Sequence, residues 1–155
     1  MISAFQFKKF SVEQDLCAMK VGTDGVLLGA WSSIPDGNVL DVGCGSGLIS
    51  LMIAQRNSNC IIEAIDIDEG AYLQSVKNVN NSNWKSRINP VKTSFQLFEP
   101  NKKYNLIVSN PPFFINAYKS LDNSKNLARH TDGLPFVDFI KKATQLMTID
   151  GLLCI

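Results

Sequence analysis

The stretch Val39-Leu40-Asp41-Val42-Gly43-Cys44-Gly45-Ser46-Gly47 decides how the rest of this chain is read. Val39, Leu40 and Val42 have the pattern of a short buried strand, and three glycines follow at alternate positions. Leu48-Ile49-Ser50-Leu51-Met52-Ile53-Ala54 then runs on as an almost wholly apolar helix. Strand, glycine turn and helix together present backbone N–H groups and a positive helix end to a nucleotide-like ligand. The glycines let the main chain pass close to that ligand at φ values a Cβ would forbid. The spacing is G-x-G-x-G, without the third glycine that pyrophosphate binding requires in G-x-G-x-x-G. With acidic Asp41 at the strand end, the turn suits a ligand that has a cationic portion and no phosphates. An ordinary βα turn is the competing reading, and three glycines spent in five positions weigh against it.

Working outward, Phe5, Phe7, Phe10 and Val12 alternate with polar residues and predict a half-buried strand or hairpin. Thr23 or Asp24 is placed to cap a helix running through Val26 to Trp31. Beyond the glycine turn, Cys60 to Ile65 predicts a second strand ending in Asp66, with Asp68 as the cap of the next helix. Tyr72, Val76 and Val79, with Leu73 alongside, set the apolar face expected of that helix. Ile88 to Val91 is a weaker strand whose Pro90 suits a sheet edge. Tyr104 to Ser109 is a fourth strand that leads directly into Asn110-Pro111-Pro112-Phe113-Phe114. Residues 115–133 read as a long loop, Phe136, Ile140, Ala143 and Met147 as a helix face, and Asp150-Gly151 as a turn into a strand at Leu152. This order predicts an α/β fold, a doubly wound Rossmann-like parallel sheet in one domain. Residues 1–35 form its N-terminal hairpin and helix, and 36–155 its core. The last segment reads as the start of a fifth strand, so a chain truncated relative to a longer protein is expected.

Composition narrows the function classes. At 155 residues and 45% hydrophobic, the chain can bury a sizeable core. A formal charge of +1 gives no general basic field, so nucleic-acid contacts would have to come from local patches. The four cysteines have no C-x-x-C or zinc spacing, and no metal is expected. There is no signal peptide and no apolar run long enough for a membrane span, so reduced thiols and a cytoplasmic monomer are the economical reading.

Two further positions carry chemistry. Asp66, at a strand end about twenty residues beyond the glycines, is placed to accept both ribose hydroxyls of an adenosyl group. With Asp41, Gly43 and Gly45 it points to S-adenosylmethionine, which carries a cation and no phosphates. Asn110-Pro111-Pro112-Phe113 is the second signal. An Asn amide oxygen and a main-chain carbonyl, fixed by prolines, can accept both hydrogens of an exocyclic amine, while Phe113 offers a face for a planar base. A rigid turn with a packed aromatic is the alternative.

At this point the residues resemble a known family. Val39–Gly47 together with Asn-Pro-Pro-Phe is similar to the class I S-adenosylmethionine-dependent N-methyltransferases. The run from Phe10 to Trp31, with Ser109-Asn110-Pro111-Pro112-Phe113-Phe114 and Ala128-Arg129-His130-Thr131-Asp132, closely resembles the tRNA(Val) adenine-N6 methyltransferases, which modify the adenine 3′ of the anticodon. The resemblance covers nearly the whole chain. It implies that Asp41, Gly43, Gly45 and Asp66 bind the cofactor, and that Asn110, Pro111 and Phe113 hold the target adenine in a tRNA. Thr23 and Asp24 are read as closing the cofactor pocket, with helix capping as the alternative. Phe114, Arg129 and His130 are the remaining substrate candidates, His130 as a loop or phosphate contact rather than a base. One departure is visible: the acidic residue many class I enzymes carry after the third strand is absent, and Ser94 stands near that place. DNA adenine, a protein glutamine amide and a non-catalytic cofactor- or RNA-binding role remain the alternatives.

Overall fold

The computed structural model describes residues 4–111 and 136–155. A short hairpin, β1 (Phe5–Gln6) with β2 (Ser11–Val12), comes first and pairs antiparallel. Then follow α1 (Thr23–Trp31), β3 (Gly37–Val42), α2 (Leu48–Arg56), β4 (Cys60–Asp66), α3 (Glu69–Asn80), β5 (Ile88–Lys92), β6 (Tyr104–Ser109), α4 (Phe136–Leu146) and β7 (Met147–Cys154). Five strands make one parallel sheet in the order β5-β4-β3-β6-β7. The chain therefore steps outward from β3 to β5, returns to β6 on the other side of β3, and reverses its winding there. That reversal opens a crevice at the carboxyl ends of β3 and β6, where open α/β sheets bind ligands.

Residues of β3 and β6 are apolar on both faces because both faces are covered. Val39, Leu106 and Val108 pack with Leu48, Leu51 and Ile53 of α2. Leu40, Val42 and Ile107 pack instead with Phe95 and with Phe139 and Ala143 of α4. The doubly wound sheet and the pairing of β6 with β3 are as the sequence predicts, and β5 with Pro90 is an edge strand.

Three local expectations are corrected. Gly22, in extended conformation, is the N-cap of α1 and supplies no side-chain bond, so Thr23 and Asp24 are already inside the helix. Met147 and Asp150-Gly151 belong to β7, which starts five residues before Leu152 and has an irregular register opposite Tyr104 and Leu106. The apolar faces of two helices are also rotated from those predicted. In α4, Phe139 and Ala143 are buried while Phe136 is exposed. In α3 the buried residues are Ala71, Gln74, Ser75, Asn78 and Val79, with Leu73 outside. Asp68 does cap α3, accepting from Ala71 N at 2.8 Å.

Helix α1 lies against α2 through Gly25 and Gly29, which are one turn apart and both buried. A Cβ on Gly29 would come within 2.7 Å of Met52 Sδ, so the approach is one that only glycine permits. At the other end of α2, Arg87 donates to Ala54 O at 2.6 Å, Asn57 O at 2.9 Å and Cys60 O at 3.1 Å. The first two carbonyls end α2, whose dipole places negative charge there, and the third belongs to the start of β4. Replacing Arg87 by Ala should lower the unfolding free energy by on the order of 2–3 kcal/mol, the scale of charged hydrogen bonds. Urea denaturation checks this, and Arg87→Lys should restore little, since one ammonium cannot span all three carbonyls.

Candidate functional site

The glycine turn sits at the end of β3 and is made by three residues in the left-handed region: Gly43 (φ 72°), Gly45 (φ 55°) and Gly47 (φ 80°). A Cβ added at Gly43 or Gly45 would meet nothing within 4 Å, so open space lies beside both. Gly43 N and Cys44 N donate to Ile65 O at 2.9 and 3.0 Å, and this pins the turn to the end of β4. Cys44 is buried and its thiol is pushed well up by burial, which suits a filler and not a nucleophile.

Asp41 is wholly buried. Its Oδ2 accepts from Ser50 N at 3.1 Å and from Ser50 Oγ at 2.6 Å. It thus caps the first turn of α2, a helix whose own N-cap is Gly47 and has no side chain to offer. Its Oδ1 is buried without a partner among the described residues.

Asp66 lies across the turn from Asp41 at the end of β4 and is half-buried. Oδ2 accepts from Gly45 N at 2.8 Å and Oδ1 from Asp68 N at 2.9 Å. An ionised carboxylate has about four acceptor sites, so about two remain for hydroxyl groups. Thr93 N donates to Asp66 O at 2.9 Å, which brings Ser94 to the neighbouring strand end. Ser94 Oγ there accepts from Leu97 N at 3.3 Å.

At the end of β6, Ser109 Oγ donates to Val42 O at 2.8 Å and locks this strand end to β3. Asn110 and Pro111 follow at the mouth of the crevice, Asn110 exposed. A Cβ on Gly25 would lie 3.5 Å from Asn110 Nδ2 and 3.4 Å from Leu48 Cδ2, so the start of α1 is tucked against both. A shallow cleft of about 370 Å³ borders Asn110 and is lined also by Asp24, Leu27, Leu28, Trp31 and Ile155. Thr23 borders a second cleft on the same helix, away from the glycine turn. Phe113, Phe114, Arg129 and His130 lie outside the described residues.

The structure therefore brings Asp41, Gly43, Gly45, Asp66, Ser94 and Asn110 to neighbouring strand ends. Sequence reasoning missed Ser50, Asn78 and Gln74, whose partners are remote in the chain. It also missed Cys17, a buried thiol pushed up to about 12 by burial and by the nearby charge of Asp66. The donor set fits a ligand with vicinal hydroxyls and a cation, since Asp66 keeps free acceptor sites and Asp41 Oδ1 is unpaired. Among the described residues no acidic, histidine or cysteine cluster could hold a metal, and no helix is long and apolar enough to cross a membrane.

The family model of the methyltransferase small domain matches residues 19–155. The chain belongs to this family. It is 53% identical over 150 residues to the tRNA1(Val) (adenine(37)-N6)-methyltransferase of Parabacteroides distasonis, covering 95% of this chain and 63% of that protein. The chain thus spans a little under two thirds of this relative. Among solved structures it is similar to the M. jannaschii tRNA m1G37 methyltransferase, with a TM-score of 0.67 at 18% identity, covering 97% of this chain and 41% of that one. It is similar also to a methyltransferase of Thiobacillus denitrificans in complex with S-adenosyl-L-homocysteine, with a TM-score of 0.63 at 14% identity, covering 91% of this chain and 49% of that one. Likeness at such low identity concerns the fold.

Burial raises the Asp41 carboxyl to about 7, against the opposing bonds from Ser50 and with a smaller push from Asp66. A carboxyl held above its unfolded value of about 3.9 binds more protons folded than unfolded. Its contribution to stability is therefore complete below about pH 4 and lost as pH rises through about 7. Asp66 is shifted the same way, chiefly by burial. Subtracting Asp41→Asn isolates the first group. Wild-type stability minus that of the variant, from urea midpoints, should decline between about pH 4 and 7 and run level above about 8.

Proposed function

We propose that this chain is the catalytic part of an enzyme that transfers the methyl of S-adenosylmethionine to the N6 amine of an adenine in tRNA, the adenine 3′ of the tRNA(Val) anticodon. It works in the cytoplasm, as a monomer and without a metal. What carries this reading is one crevice in which a half-engaged carboxylate, open glycines and the Asn110-Pro111 turn share adjoining strand ends. The 53% identity to a relative so named supports the choice of substrate.

Asp66 holds the ribose hydroxyls with the acceptor sites left over from Gly45 and Asp68. Asp41 is assigned to the cationic end, and Ser94 to a further polar contact. Asp24, which borders the cleft at Asn110, closes the pocket from the start of α1, while Thr23 opens on a separate cleft. When bound, S-adenosylmethionine supplies an electrophilic methyl on a sulfonium that departs as a neutral thioether. Asn110 Oδ1 and the Pro111 carbonyl accept the two N6 hydrogens of the target base. These acceptors stabilise the pyramidal, positively charged nitrogen more than the planar amine, which is differential binding of the transition state. The nitrogen takes the methyl and then sheds one proton to water, so no general base is needed before attack. A stacked adenine cannot reach this geometry, so the base leaves the anticodon loop and turns into the crevice. Phe113 is assigned to stacking on that base, with Phe114, Arg129 and His130 as further tRNA contacts.

The test is to incubate the protein with methyl-labelled S-adenosylmethionine and tRNA lacking the modification, then digest and look for N6-methyladenosine. Asp66→Ala should weaken S-adenosylmethionine binding by about tenfold to a hundredfold in calorimetry, the loss of hydrogen bonds to a charged acceptor. Asn110→Ala should nearly abolish methyl transfer while leaving that affinity within about threefold. A turnover for Asn110→Ala within about threefold of wild type, under ~1 kcal/mol, would remove it from the chemistry.

A further inference from the structure

Helix α3 buries a polar face. Gln74 is 1% and Asn78 2% exposed, and neither has a role in the reading above. Burying an amide costs free energy unless its hydrogen bonds are made, and Gln74 Nε2 has no partner among the described residues. Asn78 makes three hydrogen bonds, two to Glu13 and one to Ser46. Its Oδ1 accepts from Glu13 N at 2.9 Å, and its Nδ2 donates to Glu13 O at 2.7 Å and to Ser46 O at 2.8 Å. Only one orientation of the amide serves all three, because two of the partners are carbonyls and one is an N–H. Ser46 lies inside the glycine turn, so one side chain joins α3, the N-terminal segment and that turn.

The same segment is seated along α3 at further points. Leu16 N donates to Gln74 Oε1 at 2.9 Å, and a Cβ on Gly70 would overlap Leu16 O. The segment then closes on itself, with Val21 N donating to Gln14 Oε1 at 2.7 Å and Lys20 Nζ to Cys17 O at 2.9 Å. Cys17 is buried here, and its thiol is pushed up by that burial and secondarily by the charge of Asp66. The exposed Lys77–Glu13 ion pair adds little to this seating.

We propose that Asn78 is a positioning residue: it locks the glycine turn to the segment from Glu13 to Cys17, so that seating this segment and binding the methyl donor are one coupled equilibrium. The inference rests on the cofactor reading above. With the Ser46 carbonyl held, Gly45 N is aimed at Asp66 Oδ2 and the turn keeps its left-handed path. Without Asn78, the Ser46 carbonyl and both Glu13 groups lose their partner, and the turn has other paths open to it. Coupling is reciprocal, so the donor must in turn tighten the segment.

Two measurements on the full chain test this. In calorimetry, Asn78→Ala, which removes three buried or part-buried hydrogen bonds, should raise the Kd for S-adenosylmethionine about tenfold or more. Asn57 is the control: its Nδ2 donates to Ile34 O at 3.1 Å and Asp36 Oδ1 at 3.0 Å, at the far end of α2. Asn57→Ala should lower the melting temperature and leave that Kd within about twofold, as a purely structural amide would. The second measurement needs no variant. Exchange of the Glu13 and Leu16 amides, followed by NMR in the wild type, should slow about tenfold or more on saturation with S-adenosylmethionine. An unchanged Kd in Asn78→Ala, or exchange at both amides indifferent to the donor, overturns the proposal. A wild type that does not bind S-adenosylmethionine overturns the cofactor reading and this inference together, whereas binding insensitive to Asn78 overturns the inference alone.

Discussion

Everything near the crevice depends on the chain turning from β3 into α2 through three left-handed glycines, with φ of 72°, 55° and 80°. The three glycines have no side chains to hold its shape, and glycine brings the largest backbone entropy to be lost on folding. Its order is imposed from outside by groups on other elements. Asp66 takes Gly45 N, Ile65 O takes Gly43 N and Cys44 N, Asn78 takes Ser46 O, and Asp41 caps the helix that follows. The carboxylates do this at a cost, since burial raises both above their usual range. A turn held by remote polar groups leaves its own surface free, and that surface is where a ligand can lie against bare backbone.

The sheet and its winding were legible because the signals are local and repetitive. Apolar runs for strands covered on both faces, the glycine triplet and Pro90 each carry their meaning within a few residues. The glycine turn, Asp66 and Asn110 were legible for the same reason, as residues fixed at strand ends. The orientation of α3 was not. Tyr72, Leu73 and Val76 are more apolar than Gln74, Ser75 and Asn78, yet the polar set is buried. Hydropathy favours the wrong face because what covers α3 includes backbone N–H and C=O groups of Glu13 and Leu16, which demand amide partners. No periodicity encodes a partner 58 or 65 residues away. The start of β7 was misjudged for a different reason: Asp150-Gly151 has turn chemistry, but tertiary pairing with β6 draws Met147 into the strand.

The caps follow the same division. Asp68 caps its own helix and reads correctly from sequence, since the bond spans three residues. Asp41 caps α2 from nine residues upstream, and the sequence shows only an acidic strand end that looks ready for a ligand. Both descriptions apply to it: one oxygen is committed to Ser50 and the other is unpaired.

The run from Phe10 to Trp31 was recognised by likeness alone, and its contacts give that likeness a physical basis. It reaches each strand end that builds the crevice. Glu13 is tied through Asn78 to the turn after β3, the Cys17 thiol feels the charge of Asp66 at the end of β4, and Gly25 lies against Asn110 after β6. One further approach leaves no room for a larger residue: a Cβ at Gly70 would overlap Leu16 O and push that segment off α3. The glycines at 25 and 29 also fix α1 on α2, so the position of Asp24 follows from that of the glycine turn's own helix. A segment with so many close contacts to separate parts of one crevice has its residue types constrained by those contacts, as a free surface strand does not. Its specificity as a signature comes from that geometry, and from the buried amides of α3 that hold it in place.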